Sequence, residues 1–322
     1  MSKTAKLLLT VGRPEFLPAN SASLIIGIAW GLTLPLDWIG GLVIPLILAY
    51  ATITFVAAFA AHINTLSDYQ LDVKDETKTN LVNAMNKLGA RKLKQFMVVE
   101  LSLSLLPLAL LIILQSKPAL LILWIAAVFL AFAYSSPPLR LKSHSYLAVI
   151  TLMIVLSILP ITFVTYVFTT TITFPFWIFL AGQAMTVYAV IIPAEIRDYF
   201  VDKARGVVTM TVKLGLRNAA ILEIALLGIG GILCAAGFAL EFTAESLSML
   251  IAFLLIVAAA YSFILSKYLK LYKFSKKFES TEDKSATEQE IIHIAAENPR
   301  WITLVTQSIV AISLVLLISK FL

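Results

Sequence analysis

Two stretches of this chain set acidic and amide side chains at helical spacing. The first, Ala61-His62-Ile63-Asn64-Thr65-Leu66-Ser67-Asp68-Tyr69-Gln70-Leu71-Asp72, places Asn64, Asp68 and Asp72 at i, i+4 and i+8. On an α-helix these side chains share one face over about 12 Å. The second, Pro193-Ala194-Glu195-Ile196-Arg197-Asp198-Tyr199-Phe200-Val201-Asp202, places Glu195, Asp198 and Asp202 at i, i+3 and i+7, again on one face. Carboxylates one turn apart repel, so such a strip costs stability unless a cation or a basic partner accompanies it. Hard oxygen ligands point to magnesium, Mg2+, which takes one or two carboxylates and completes its octahedron with water and phosphate oxygens. Two facing strips of this kind suit the grip of a diphosphate, and neutralising a departing diphosphate is work a metal does well. A calcium loop starting at Asp68 would need glycine at its sixth place, where Val73 stands. Either strip alone could be a solvated helix end; two on one side of a membrane are harder to explain so.

The elements that must carry these strips are membrane helices. Of the 322 residues, 60% are hydrophobic, and the mean hydropathy of +0.92 is far above that of a soluble domain. The single cysteine, Cys234, excludes a disulfide framework and a cysteine-ligated zinc site. The start, Met1 to Arg13, is short and basic, and the apolar run after it is as long as a spanning helix, so no cleaved signal is expected. Apolar segments long enough to cross about 30 Å of hydrocarbon run Leu17–Leu36, Ile39–Ala61, Gln95–Leu114, Pro118–Ala133, Tyr146–Phe168, Phe174–Pro193, Asn218–Leu240, Ser246–Ser266 and Trp301–Ile318. These predict an all-α polytopic membrane protein of about nine helices, with residues 1–322 forming one domain.

Charge gives the orientation. Of the 25 basic residues, 23 fall at the amino terminus and in the even-numbered connections, leaving only Lys117 and Lys320 on the opposite face. The positive-inside rule then predicts a cell-membrane protein with its amino terminus and both acidic strips cytoplasmic, and its carboxyl terminus outside. The last long connection, Lys267–Arg300, is basic over Lys267–Lys277 and mostly acidic over Glu279–Glu297. Attraction to anionic lipid is one reading of its first half, but positive-inside placement already accounts for such a cluster.

Other candidates are weaker singly. A double-proline segment, Tyr134-Ser-Ser-Pro137-Pro138-Leu-Arg140-Leu-Lys142, follows the fourth apolar segment. Such a segment is often only a turn with a preset backbone. The alternative here is a loop that caps the site. Tyr188, about two turns before Glu195, offers an aromatic face that can stabilise a cation, or ordinary bundle packing. His62 beside the first strip fits helix-end packing better than a base, and His144 and His293 are too isolated from one another to suggest a metal site.

Taken together, these residues resemble the UbiA superfamily of intramembrane prenyltransferases. Asn64-x-x-x-Asp68-x-x-x-Asp72 is similar to that family's first motif. Glu195-Ile-Arg-Asp198-Tyr-Phe-Val-Asp202-Lys-Ala-Arg-Gly206-Val-Val-Thr209, followed by Thr211-Val-Lys-Leu-Gly215, is similar to its second. The Tyr134–Lys142 segment and the pair Arg13-Pro14 also look like family segments. The resemblance implies a UbiA-like helix bundle around a lipid-open cavity, with the strips facing each other under a cytoplasmic cap. It carries magnesium ligation to Asn64, Asp68, Asp198 and Asp202, with Asp72 and Glu195 supporting, and catalytic roles to Tyr134, Asp68 and Asp198. It brings Arg13, Lys142 and Lys203 to the diphosphate. The sequence departs from the pattern at Thr65, where many members carry aspartate, and at Asn80-Leu81, where many carry Arg-Pro, so Lys78 stands as the substitute cation.

The implied activity is magnesium-dependent transfer of a prenyl group from an allylic diphosphate to a lipophilic acceptor. The first candidate acceptor is an aromatic quinone precursor; glycerol, chlorin and isoprenoid lipids are the alternatives. The expected partners are prenyl diphosphate, the acceptor and membrane lipids, with no nucleic acid. A secondary transporter is the rival from another class, but transporter sites lie near the bilayer midplane, whereas both strips lie at helix ends. Of the acids within apolar segments, Glu100 and Glu223 are also close to that face.

Overall fold

A computed structural model describes residues 3–12, 17–32, 39–73, 78–204, 206–241, 247–281 and 284–320. Arg13, expected at the diphosphate, lies outside the described residues. Among those described, every regular element is helical. The chain runs α1 (Lys3–Val11), α2 (Leu17–Gly31), α3 (Ile39–Asp72), α4 (Thr79–Leu88), α5 (Ala90–Gln115) and α6 (Ala119–Ser135). It continues as α7 (Ser145–Met153), α8 (Leu159–Phe168), α9 (Phe174–Ala189), α10 (Ile192–Ala204) and α11 (Met210–Leu214). Last come α12 (Leu216–Glu241), α13 (Leu247–Ser280), α14 (Lys284–Ala295) and α15 (Asn298–Ser319).

Six helical stretches among the described residues are long and apolar enough to cross a membrane: Gly41–Asp72, Ala90–Gln115, Ser145–Phe168, Phe174–Ala204, Leu216–Glu241 and Lys284–Ser319. The chain is thus a multi-pass, all-helical membrane protein. The segments expected as first, fourth and eighth crossings are helical as α2, α6 and α13 but are not among the six. A π-helical turn, Ile154–Ile158, joins α7 to α8. It ends just before Pro160, whose missing N–H cannot extend the regular ladder.

Two junctions explain how the strips are presented. The first strip sits on the uninterrupted last turns of α3, a 34-residue helix. The second was expected at the end of the sixth membrane helix; instead the helix breaks at Val190–Ile191 and restarts as α10. Pro193 lies in the first turn of α10, where its missing N–H costs no intrahelical bond. Thr209 then caps α11, its hydroxyl accepting from Val212 N at 3.2 Å, and Gly215, at φ +80°, turns the chain into α12.

Packing is close between α9 and α12. A Cβ on Gly182 would lie 2.5 Å from the Gly230 carbonyl oxygen, and one on Gly237 would lie 2.6 Å from Phe179 Cβ. The two backbones approach as small residues allow in membrane bundles. One large apolar core joins α2, α7, α9, α10 and α12 to α15. A second joins α2, α3, α5, α6 and α8. A third lies beneath α1 and α4 at the strip-bearing end of α3. There, His62 is buried with Nδ1 2.8 Å from Glu100 Oε1 and Nε2 3.3 Å from the Leu8 carbonyl, so it ties α1, α3 and α5 together.

Candidate active site

The first strip is gathered by the double-proline loop. Lys142 Nζ lies 2.9 Å from Asn64 Oδ1 and 2.5 Å from Asp68 Oδ1, so one ammonium bridges the two oxygens paired in sequence as metal ligands. Arg140 Nη2 donates to the same Asp68 oxygen at 3.1 Å. Asn64 Oδ1 also accepts from Ser135 Oγ at 3.1 Å, and Ser67 and Ser136 hydroxyls meet at 3.2 Å. Asp72 is buried and pairs with Lys78 Nζ at 2.6 Å, which puts the expected substitute cation on this strip.

The loop is shaped to deliver these cations. Arg140 sits in the left-handed region at φ +34°, a costly conformation for a residue with a Cβ. Its amide donates to the Ser136 carbonyl at 2.8 Å, and its own carbonyl accepts from Ser143 Oγ at 2.8 Å. The tight turn Leu141–Ser143 then aims Lys142 inward. Burial pushes the Lys142 ammonium below the ordinary lysine range, and Asp68 opposes that shift.

The second strip is held by neutral donors. Glu195 accepts from Tyr188 OH at 3.1 Å through one oxygen, and from Thr211 N at 3.1 Å and Thr211 Oγ1 at 3.0 Å through the other. This carboxylate joins α9, α10 and α11 at the helix break. Asp198 is exposed and meets its neighbour Arg197, Nε to Oδ1, at 2.8 Å. Lys203 donates to Tyr199 OH at 3.2 Å and lies over that ring, one turn along α10, where it touches its own helix and not the first strip.

Tyr134 is half-buried. At the end of α6 it lies within electrostatic reach of both Glu195 and Asp68, and Tyr188 lies within reach of Tyr134. Among the described residues no three His, Cys, Asp or Glu side chains stand close enough together to hold one metal ion. The donor set nevertheless fits magnesium: Asn64 and Asp68 already converge on a cation, the Lys142 ammonium, through hard oxygens.

Sequence reasoning missed three contributors. Arg140 lay inside the quoted loop segment, two residues before Lys142, and its charge was the available signal. Ser135 in the same segment carried only a hydroxyl. Thr211 follows the cap Thr209 by two residues, but its reach back to Glu195 depends on the helix break, which hydropathy does not reveal.

The fold and site together are an all-helical membrane bundle with two acidic strips, the first of them met by a basic loop. A sequence model of the UbiA prenyltransferase family matches residues 22–278, and the chain belongs to that family. No curated protein matches it. Solved structures agree in fold. A UbiA homolog from Archaeoglobus fulgidus bound to GPP and Mg2+ is 20% identical with a TM-score of 0.61, covering 94% of this chain and 99% of that one. A structure described as that of digeranylgeranylglyceryl phosphate synthase is 15% identical with a TM-score of 0.66, covering 97% and 99%. The apo structure of a UbiA homolog from Aeropyrum pernix K1 is 13% identical with a TM-score of 0.61, covering 97% and 99%.

Proposed function

We propose that residues 1–322 form one membrane domain that transfers a prenyl group from an allylic prenyl diphosphate to a lipophilic acceptor, with magnesium as cofactor. The observation that carries this is the Lys142 ammonium bridging Asn64 Oδ1 and Asp68 Oδ1. It joins a metal-type oxygen pair to a group able to hold a phosphate.

Asn64 and Asp68 from one strip and Asp198 and Asp202 from the other would hold the metal, with Asp72 supporting through Lys78. Glu195 has both oxygens engaged by Tyr188 and Thr211, which suits it to fixing α10 for its neighbours. Magnesium, when bound, supplies charge neutralisation for the leaving diphosphate. Arg140 and Lys142 turn from Asp68 to the diphosphate oxygens, with Lys78, Lys203 and Arg13 adding positive charge around them. As the allylic carbon–oxygen bond breaks, its electron pair leaves with the diphosphate, and the Tyr134 ring faces the positive carbon left behind. Apolar helix walls exclude water until the acceptor attacks and gives up its proton.

The first acceptor to test is an aromatic quinone precursor, against glycerol, chlorin and isoprenoid lipids. Purified protein is incubated with labelled geranylgeranyl diphosphate, magnesium and each acceptor, and the product mass is measured. A prenylated product that disappears on chelation supports the reading; no product with any acceptor overturns it. The nine-crossing topology belongs to the same reading. Reporters should place the amino terminus inside and the carboxyl terminus outside, and both on one side would refute it.

A further inference from the structure

A groove with a cavity volume of about 640 Å³ opens between α13 and α15, lined among others by Phe263, Lys267, Glu297, Arg300, Trp301 and Leu304. It lies where both helices pass from charged to apolar sequence: α13 is apolar up to Leu265 and α15 becomes so from Trp301. The groove thus has a polar mouth and mainly apolar walls, to which Thr303 and Gln307 add polar groups. At the mouth, Lys267 Nζ meets Glu297 Oε2 at 3.0 Å, and Arg300 is exposed. Two cations against one carboxylate leave a positive excess.

The same face of α13 continues this character. Phe263, Lys267, Lys270, Phe274 and Lys277 follow at helical spacing and form one basic and aromatic stripe. Lys267 lies 5.6 Å from the Phe263 ring centroid and Lys270 lies 6.0 Å from that of Phe274. Below the mouth, Phe263 is 53% exposed and Leu255 is 66% exposed, so apolar side chains face outward where lipid chains would lie. Positive-inside placement explains an excess of lysine on this side of the membrane, but not a groove that joins the lysines to an apolar cleft.

We propose that this groove binds an anionic phospholipid of the bilayer, its phosphate at Lys267 and Arg300 and its chains along Phe263 and Leu304. A charged head on an apolar tail matches both halves of the groove, and basic clefts between membrane helices recognise such headgroups. The Glu297 carboxylate competes with the phosphate for Lys267 and sets the affinity. The proposal rests on α13 crossing the membrane beside α15, as the nine-crossing reading has it, and not on prenyl transfer, so a protein without transferase activity tests it equally well.

The experiment is native mass spectrometry of the full chain released from micelles containing phosphatidylglycerol or phosphatidylcholine, with lipid affinity measured in parallel. Phosphatidylglycerol should be retained over phosphatidylcholine. Lys267→Ala and Arg300→Ala should each weaken that retention about fivefold. Glu297→Gln should strengthen it, a gain that misfolding cannot mimic. Lys276→Ala, on the opposite face of α13, should change little. Equal retention of the two lipids, equal loss in Lys276→Ala or no gain in Glu297→Gln would overturn the proposal. So would displacement of phosphatidylglycerol from this groove by geranylgeranyl diphosphate, which would make the groove a substrate path.

Discussion

The two acidic strips use similar residues at similar spacing, yet they are held in opposite ways. On α3, Asp68 is met by Lys142 and Arg140 and Asp72 by Lys78, so the charges are balanced by cations. On α10, Glu195 is fixed by a tyrosine hydroxyl, a backbone amide and a threonine hydroxyl, while Asp198 is half exposed beside Arg197. In the proposed reaction the cations of the first strip exchange a carboxylate for a phosphate. The second is tied to α9 and α11 through Glu195 and leaves Asp198 accessible. Helical spacing alone does not distinguish these roles; the partners do.

The largest expected effect breaks the symmetry of function and keeps the asymmetry of stability. Asp68→Ala and Asp198→Ala should each lower prenyl transfer on the order of 10³-fold, the loss of several kcal/mol of charge stabilisation. The double variant should be little worse than either single one, because groups acting as a unit are not additive, and chelation should reproduce the loss. Stability should split. Repulsion along a strip predicts by itself that removing a carboxylate firms the helix end. At Asp68 the ion pairs reverse that: Asp68→Ala strands two partly buried cations and should cost about 2 kcal/mol. Asp198→Ala should lie within about 0.5 kcal/mol of the parent. Activity assays with thermal unfolding, both without and with magnesium, check this; full activity in either variant would defeat the two-strip reading.

A smaller effect isolates the loop over the first strip. Lys142→Ala should lower turnover about 10²-fold, the scale of losing one preorganised donor at developing charge, and Lys142→Arg should recover part of it. Tyr134→Phe, which keeps the ring but removes the hydroxyl, should lower turnover by less than Lys142→Ala. Steady-state kinetics decide the matter, and unchanged turnover in both Lys142→Ala and Tyr134→Phe would reduce the segment to a turn.

How far the sequence reveals this comparison depends on what each feature rests upon. Membrane helices are legible because apolar runs and spanning length are local properties, and all six spanning stretches fall on segments expected from hydropathy. The strips are legible because i, i+4 spacing is conserved by any helix. Cation partners are less so: Lys78 was expected near the first strip from the family resemblance, as the substitute for the Arg-Pro pair absent at Asn80-Leu81, whereas the reach of Arg140 depends on a left-handed backbone that no propensity predicts for arginine. The break at Val190–Ile191 was hidden because the apolar pattern runs through it unchanged. Its consequence, the capture of Glu195 by Thr211 sixteen positions on, is a tertiary contact with no periodic signature.

That capture supplies the smallest prediction and tests the second strip as a mount. Thr211 is fully buried, and Thr211→Val keeps its shape while removing the hydroxyl donated to Glu195. The backbone amide of Thr211 remains, so Glu195 loses one of three donors and the cost should be about 1 kcal/mol. Tyr188→Phe removes another donor at a similar cost. If both hydroxyls act only through Glu195, the losses should be coupled: after Glu195→Gln, each second substitution should cost less than it does alone. Because Asp198 and Asp202 ride on the helix that Glu195 fixes, loosening the mount should lower turnover more than substrate affinity. Thermal unfolding of the single and double variants, with kcat and KM measured separately, reads both effects. Additive stability losses would mean that Thr211 and Tyr188 merely fill space around α10, and the second strip would then be no more mounted than the first.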